Sequence, residues 1–218
     1  MYGDDVRSYT FGFRSIRLGA CRENVNDDWI YINEEKTFLR GLNRHQSYPY
    51  VGYAMPSSMQ VEDARILKNE LHVNTVRTSH YPQAQSFIDA CDRLGLLVFT
   101  EIPGWQHIGN QSWKQTAMTN TEEMVKQYRN HPSIILWGVR INESQDDDDF
   151  YAVTNRIAHS LDPSRPTSGV RYLQNSHLLE DVYAFNDFSY NGTGKGALSK
   201  KEVTKEEAPL LISECNGH

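Results

Sequence analysis

Cysteine is scarce in this sequence: Cys21, Cys91 and Cys215 are the only three in 218 residues, and they lie far apart. That is too few and too scattered for a disulfide framework or a zinc knuckle. Long hydrophobic runs are missing as well. No stretch approaches the roughly 18 apolar residues of a membrane span, so no membrane partner is expected. Basic residues are outnumbered, 22 Lys and Arg against 28 Asp and Glu for a net charge of −6, and no basic run stands out. Nucleic acid is therefore not an expected partner. The opening residues MYGDDVRSYT hold no apolar segment of signal-peptide type, so none is read there. A phosphate-cradling glycine loop after a buried strand is also lacking. The one glycine cluster, GTGKG at 192–196, follows a polar loop. Hydrophobic residues at 39% and charged residues at 23% exclude a disordered or fibrous chain.

What is present is an alternation of strands and helices. Residues 9–17 (YTFGFRSIR) alternate in the strand period, with aromatics on one side. Residues 29–42 read as a hairpin, with WIYIN and TFLRGL as arms and Glu34, Glu35 and Lys36 as the turn. Helices are predicted over 61–71, 84–95, 121–130 and 146–161. Gly95 stops the second and Thr121 caps the third. The aspartates of DDDDF lead the fourth, where acids favour the helix dipole; an ion site is the alternative. Short strands are predicted over 74–79, 96–103, 133–139, 166–170, 181–185 and 208–214, with a first one starting at Phe38. Seven strands, most followed by a helix, recur near the spacing of a (β/α)8 TIM barrel, about 30 residues per unit. A doubly wound sheet would want the glycine loop that is absent. Only four residues follow Glu214. The expectation is thus an incomplete barrel of strands one to seven. Its open edge would leave the isolated chain inactive or nearly so.

In such a barrel the active site lies at the strand C-terminal ends. There the sequence places Asn43, Arg44 and His45, then Arg77, Ser79 and His80, then Glu101, then Asn142 and Glu143, and finally Glu214. Polar groups directly after buried apolar runs need partners or a use. Two carboxylates across a barrel mouth suit acid/base and nucleophile chemistry on an acetal. On spacing alone, Glu143 and Glu214 read equally well as satisfied strand-end ion pairs. A thiol hydrolase built on Cys215, Asn216 and His218 is the weaker alternative, because neighbours on an extended chain seldom face one another. A carbohydrate-binding fragment without catalysis is the stronger one.

The segments FLRGLNRHQ (38–46), NTVRTSHYP (74–82), CDRLGLLVFTEIP (91–103), RNHPSIILWGVRINES (129–144), LDPSRP (161–166) and PLLISE (209–214) resemble, in order, the catalytic domain of glycoside hydrolase family 2. This is the family of β-galactosidases and β-glucuronidases. The resemblance runs from about residue 29 to the end. Residues 1–28 then correspond to the end of a preceding β-sandwich domain and a linker, and 29–218 to the barrel. The resemblance implies a retaining hydrolase of β-glycosides from a bacterial type of enzyme, cytoplasmic or periplasmic. β-Galactosides are the default substrate, with glucuronides and mannosides open. It implies that Glu143 is the acid/base, Glu214 the nucleophile and Asn142 the partner of the sugar 2-hydroxyl. It also implies that Arg77 supports the nucleophile, that His45 and His80 touch substrate, and that Glu101 shapes the pocket floor. Trp105 and His107 become pocket candidates. Where the family carries a tyrosine after the sixth strand, this chain has Asn186 and Asp187, leaving Tyr190 to substitute if its loop folds back. Where some relatives carry acidic magnesium ligands after the third strand, this chain has Trp105, so neither metal nor cofactor is expected. EDTA is accordingly expected to leave glycosidase activity unchanged. A tenfold loss restored by magnesium would overturn that reading.

Overall fold

The computed structural model describes residues 6, 8–19, 21–22, 25–190 and 196–215. Five short strands come first: β1 (Ile16–Leu18), β2 (Cys21–Arg22), β3 (Val25–Asn26), β4 (Ile30–Ile32) and β5 (Glu35–Thr37). β2 pairs with β3, and β1, β4 and β5 form an antiparallel sheet in that order. β1 thus pairs across the expected boundary at residue 28. The strand predicted over 9–17 is confined to Ile16–Leu18. The predicted hairpin exists with a shifted turn. Asn33 and Glu34 take φ of 51° and 65°, the two left-handed positions of a tight hairpin turn, while Glu35 and Lys36 already belong to β5. Its second arm also ends early, at Thr37, because Asn74 takes over the following residues. The Asn74 side chain accepts from Arg40 N at 2.8 Å and donates to Phe38 O at 2.8 Å. Gly41 and Leu42 pass into the barrel.

The barrel strands and helices then alternate. They are β6 (Gly41–Arg44), α1 (Ser57–Arg65) with a wider turn over Ile66–Glu70, β7 (Thr75–Thr78), α2 (Gln85–Leu94), β8 (Leu97–Glu101) and α3 (Gln111–Tyr128). β9 (Ile134–Gly138), α4 (Asp148–Leu161), β10 (Thr167–Arg171), β11 (Val182–Asp187), α5 (Lys200–Val203) and β12 (Leu210–Cys215) follow. β6 to β12 form one parallel sheet of seven strands in sequence order, the arrangement of a TIM barrel. Their apolar runs face two cores at once. Val76, Val98 and Ile134 pack outward under the helices with Phe87, Ile88 and Val125. Phe99, Leu136, Val170 and Ala184 point inward, above a floor made by Ile30 and flanked by Ile16, Leu18 and Ile32. The first hairpin therefore plugs the barrel bottom and leaves the strand C-terminal ends as the mouth.

Two helix expectations need correction. α3 starts well before residue 121, capped by the Asn110 side chain, which accepts from Trp113 N at 3.0 Å. Thr121 is a buried mid-helix residue whose hydroxyl donates to Ala117 O at 2.9 Å. By contrast Gly95 does end α2, with φ 64°. In the aspartate run, Asp147 caps α4 by accepting from Phe150 N. Asp146 instead clamps a loop. It accepts from Arg140 Nη2 at 2.6 Å, from the Ser176 hydroxyl, and from His177 N at 3.1 Å.

Burial alone would raise the Asp146 pKa, but these hydrogen bonds outweigh it and take the carboxyl down to about 2. An unfolded Asp titrates near 3.9. The depressed folded value therefore stabilises the fold above about pH 4, and this contribution is lost as pH falls toward 2. Asp146→Asn is expected to lower the melting temperature at pH 7. The gap to the parent should close between about pH 4 and pH 2, read from thermal melts across that series.

Candidate active site

Arg77 stands at the centre of the mouth. It is the third residue of β7, so strand alternation turns it inward between the outward Val76 and Thr78. Its guanidinium is only 4% exposed. It donates to Glu101 Oε1 at 3.0 Å, to Asn142 Oδ1 at 2.7 Å and to Glu214 Oε2 at 3.2 Å. His80 Nδ1 lies 3.1 Å from Arg77 Nη2 and 2.9 Å from Glu101 Oε1, so the ring is anchored at that nitrogen. Glu101, 1% exposed, ends β8 and lies flat against β9. Gly138 makes room for it, since a Cβ there would meet the Glu101 Cβ at 2.3 Å. Glu101 is thus the buried counter-charge of Arg77.

Glu143 follows β9 with φ 55°, a left-handed backbone that a non-glycine residue adopts only when its surroundings hold it there. Its own N–H donates to Val170 O at 3.0 Å. Trp105 Nε1 and Gln106 Nε2 both donate to Glu143 Oε2 at 3.1 Å, and Asn186 Nδ2 donates to Oε1 at 2.9 Å. The same Asn186 nitrogen lies 3.2 Å from Glu214 Oε2. Those two bonds bound the gap between the two carboxylate oxygens.

A cleft of about 620 Å³ opens over these groups, lined by His45, His80, Tyr81, Trp105, Asn142, Glu143, Phe188 and Glu214 among others. The Asn142 Nδ2 group is buried and has no hydrogen-bond partner, an expensive state unless a ligand completes it. The His45 ring stands edge-on to His80 with centroids 5.4 Å apart. Burial, followed by the proximity of His80, lowers the His45 pKa, so His45 is neutral at pH 7. Of the residues expected from sequence, Glu143, Glu214, Asn142, His45, His80, Arg77, Glu101 and Trp105 come together. Tyr190 does not. Asp187 accepts the Ser189 N–H and hydroxyl in a tight turn, which leaves Phe188 against the cleft and Tyr190 47% exposed outside its lining. Asn186, Gln106, Tyr81 and Phe188 join them without a signal of their own in the sequence, apart from Asn186 standing where the family's tyrosine is expected.

Among the described residues, one group has the spacing of metal ligands, Asp89, Asp92 and His131. It sits on the outer wall, away from the cleft, where Asp92 bonds His131 Nδ1 at 2.6 Å and Ser133 N at 3.0 Å and so pins the start of β9. Of the thiol alternative, Asn216 and His218 lie outside the described residues. Cys215 itself is exposed at the end of β12.

The TIM barrel domain of glycosyl hydrolases family 2 matches residues 24–217. A β-galactosidase of Thermoanaerobacterium thermosulfurigenes is 62% identical over 210 residues, covering 95% of this chain and 28% of that protein. A β-galactosidase of Thermoanaerobacter pseudethanolicus is 60% identical over 213 residues, covering 97% of this chain and 27% of that protein. Among solved structures, a β-galacturonidase from Eisenbergiella tayi bound to galacturonate superposes with a TM-score of 0.72 at 31% identity, over 82% of this chain and 32% of that one. The chain therefore spans under a third of the length of these relatives. Replacing Arg77 by Met would leave Glu101 buried and short of its main partner. A loss of about 3–5 kcal/mol in unfolding free energy is expected, read from urea midpoints.

Proposed function

The chain belongs to glycosyl hydrolase family 2, and from that membership we propose that it carries the retaining β-galactosidase site of the protein it serves. Glu214 is the nucleophile and Glu143 the acid/base. The observation that carries this reading is the narrow gap between the two carboxylates, bridged by a single amide group. Glu214 Oε2 is held by Arg77 and Asn186, while Oε1 takes no hydrogen bond among the described residues. Oε1 is the oxygen left to attack the anomeric carbon. Glu143, across the cleft, gives its proton to the departing glycosidic oxygen. The glycosyl–enzyme ester is then opened by a water from which Glu143 takes a proton, restoring both groups. The unpartnered amide of Asn142 supports a bond to the sugar 2-hydroxyl, which strengthens as the ring flattens toward the transition state. Neutral His45 and the anchored His80 offer ring nitrogens to the uncharged hydroxyls of a hexose.

Galactosides are preferred because the two relatives near 60% identity bear that name. A uronide is the second reading, favoured by the likeness to the galacturonidase. A panel of nitrophenyl β-galactoside, β-glucuronide, β-galacturonide and β-mannoside, tried on this chain and on the natural protein with its flanking sequence, separates these. Inactivity of both preparations on every sugar would favour carbohydrate binding without catalysis. In the active protein, Glu214→Gln should cut turnover on the order of 10⁴-fold or more. Glu143→Gln should cost about 10²–10⁴-fold on alkyl glycosides and far less on dinitrophenyl ones, whose leaving groups need no proton. Equal retention of activity by both variants would remove the assignment.

A further inference from the structure

The geometry points to Asn186 as a positioning residue that sets the two carboxylates against one another, with Ser213 bonded to its carbonyl oxygen. The inference rests on the two-carboxylate reading above. Asn186 is 1% exposed and lies near the end of β11. Ala184 faces the barrel interior and Phe185 the outer core, so alternation returns Asn186 to the interior. Its nitrogen has two hydrogens and three acceptors in reach: Glu143 Oε1 at 2.9 Å, Glu214 Oε2 at 3.2 Å and Asn142 Oδ1 at 3.3 Å. The two charged acceptors are the nearer ones and make the stronger bonds.

An amide can be turned over, and a flipped Asn186 would push its carbonyl oxygen at two carboxylates. The two carboxylates, which only accept, therefore fix which way the amide faces, and Ser213 completes the arrangement. Its hydroxyl donates to Asn186 Oδ1 at 3.0 Å. Ser213 can do so because β12 carries one extra residue there. Phe185 pairs with Ile212 and Asn186 with Glu214, so Ser213 has no opposite number. Regular alternation from the inward Leu211 would put Glu214 on the outer face. The irregularity turns it in and leaves Ser213 beside the amide oxygen. One local defect therefore aims the proposed nucleophile and brings Ser213 onto the group that ties it to the acid/base.

The test uses the natural protein with its flanking sequence, assayed on dinitrophenyl and methyl β-galactosides. Asn186→Ala is expected to lower kcat about 10–100-fold on both substrates, with KM within about threefold, because both carboxylates lose a charged hydrogen bond. Ser213→Ala should show the same pattern at smaller size. Asn186→Asp keeps the shape and replaces the donor by a third carboxylate, so it should lose more than Asn186→Ala while its melting curve stays cooperative. Asn186→Ala within twofold of the parent would overturn the inference. So would a loss in KM alone, or one confined to the methyl glycoside. Glu143→Gln and Glu214→Gln serve as controls. If they stay active, the two-carboxylate reading has failed; if they are dead and Asn186→Ala is not, only the role of Asn186 has.

Discussion

A single buried guanidinium holds the mouth of this barrel together. Arg77 bonds groups from three other strands or their ends: Glu101 of β8, Asn142 after β9 and Glu214 of β12. Glu101 and Asn142 carry charge or a strong dipole out of water, and neither would be tolerable there alone. The pair with Glu101 is weak grounds for stability by itself, since desolvation offsets much of the attraction. Its value is geometric. A planar fork with five fixed donors tells each partner where to stand.

The rest of the site follows from how the strands end. Below the mouth the interior is apolar and closed by Ile30 of the first hairpin. Above it the strand ends turn polar, and their charged groups answer to other strands. Glu143 accepts from the loop after β8 through Trp105 and Gln106, and from β11 through Asn186. Because the partners arrive on separate strands, the site exists only when the sheet is curved. Flattening the sheet would part β7 from β12 and remove the Arg77–Glu214 contact.

The sequence made the frame readable for a simple reason. Runs such as SIILWGV and LLVFTEIP are apolar on both faces, which only a strand between helices and an interior can use. Polar residues just after those runs marked Glu101, Asn142, Glu143 and Glu214. What it hid depends on contacts between distant residues. Thr121 looks like a cap in isolation, yet Asn110 and a longer helix claim it as an interior residue. The hairpin seemed to run to Leu42 because nothing local announces that Asn74 will take residues 38–40. Tyr190 lost its place to a turn made by Asp187.

Asn186 and Ser213 show why the finest part of the site was illegible. Neither is charged, and a strand residue in VYAFND or LLISEC reads as filler by composition. Their roles come from register, which slips by one residue between β11 and β12 at this point. Periodicity assigns Glu214 to the outer face and Ser213 to the inner one. The slip lets both reach Asn186. A substitution far from the cleft that restored regular pairing there would move Glu214 away from Arg77 without touching either side chain. The place of Glu214 is thus set by the backbone of two strands, and its side chain reads it out.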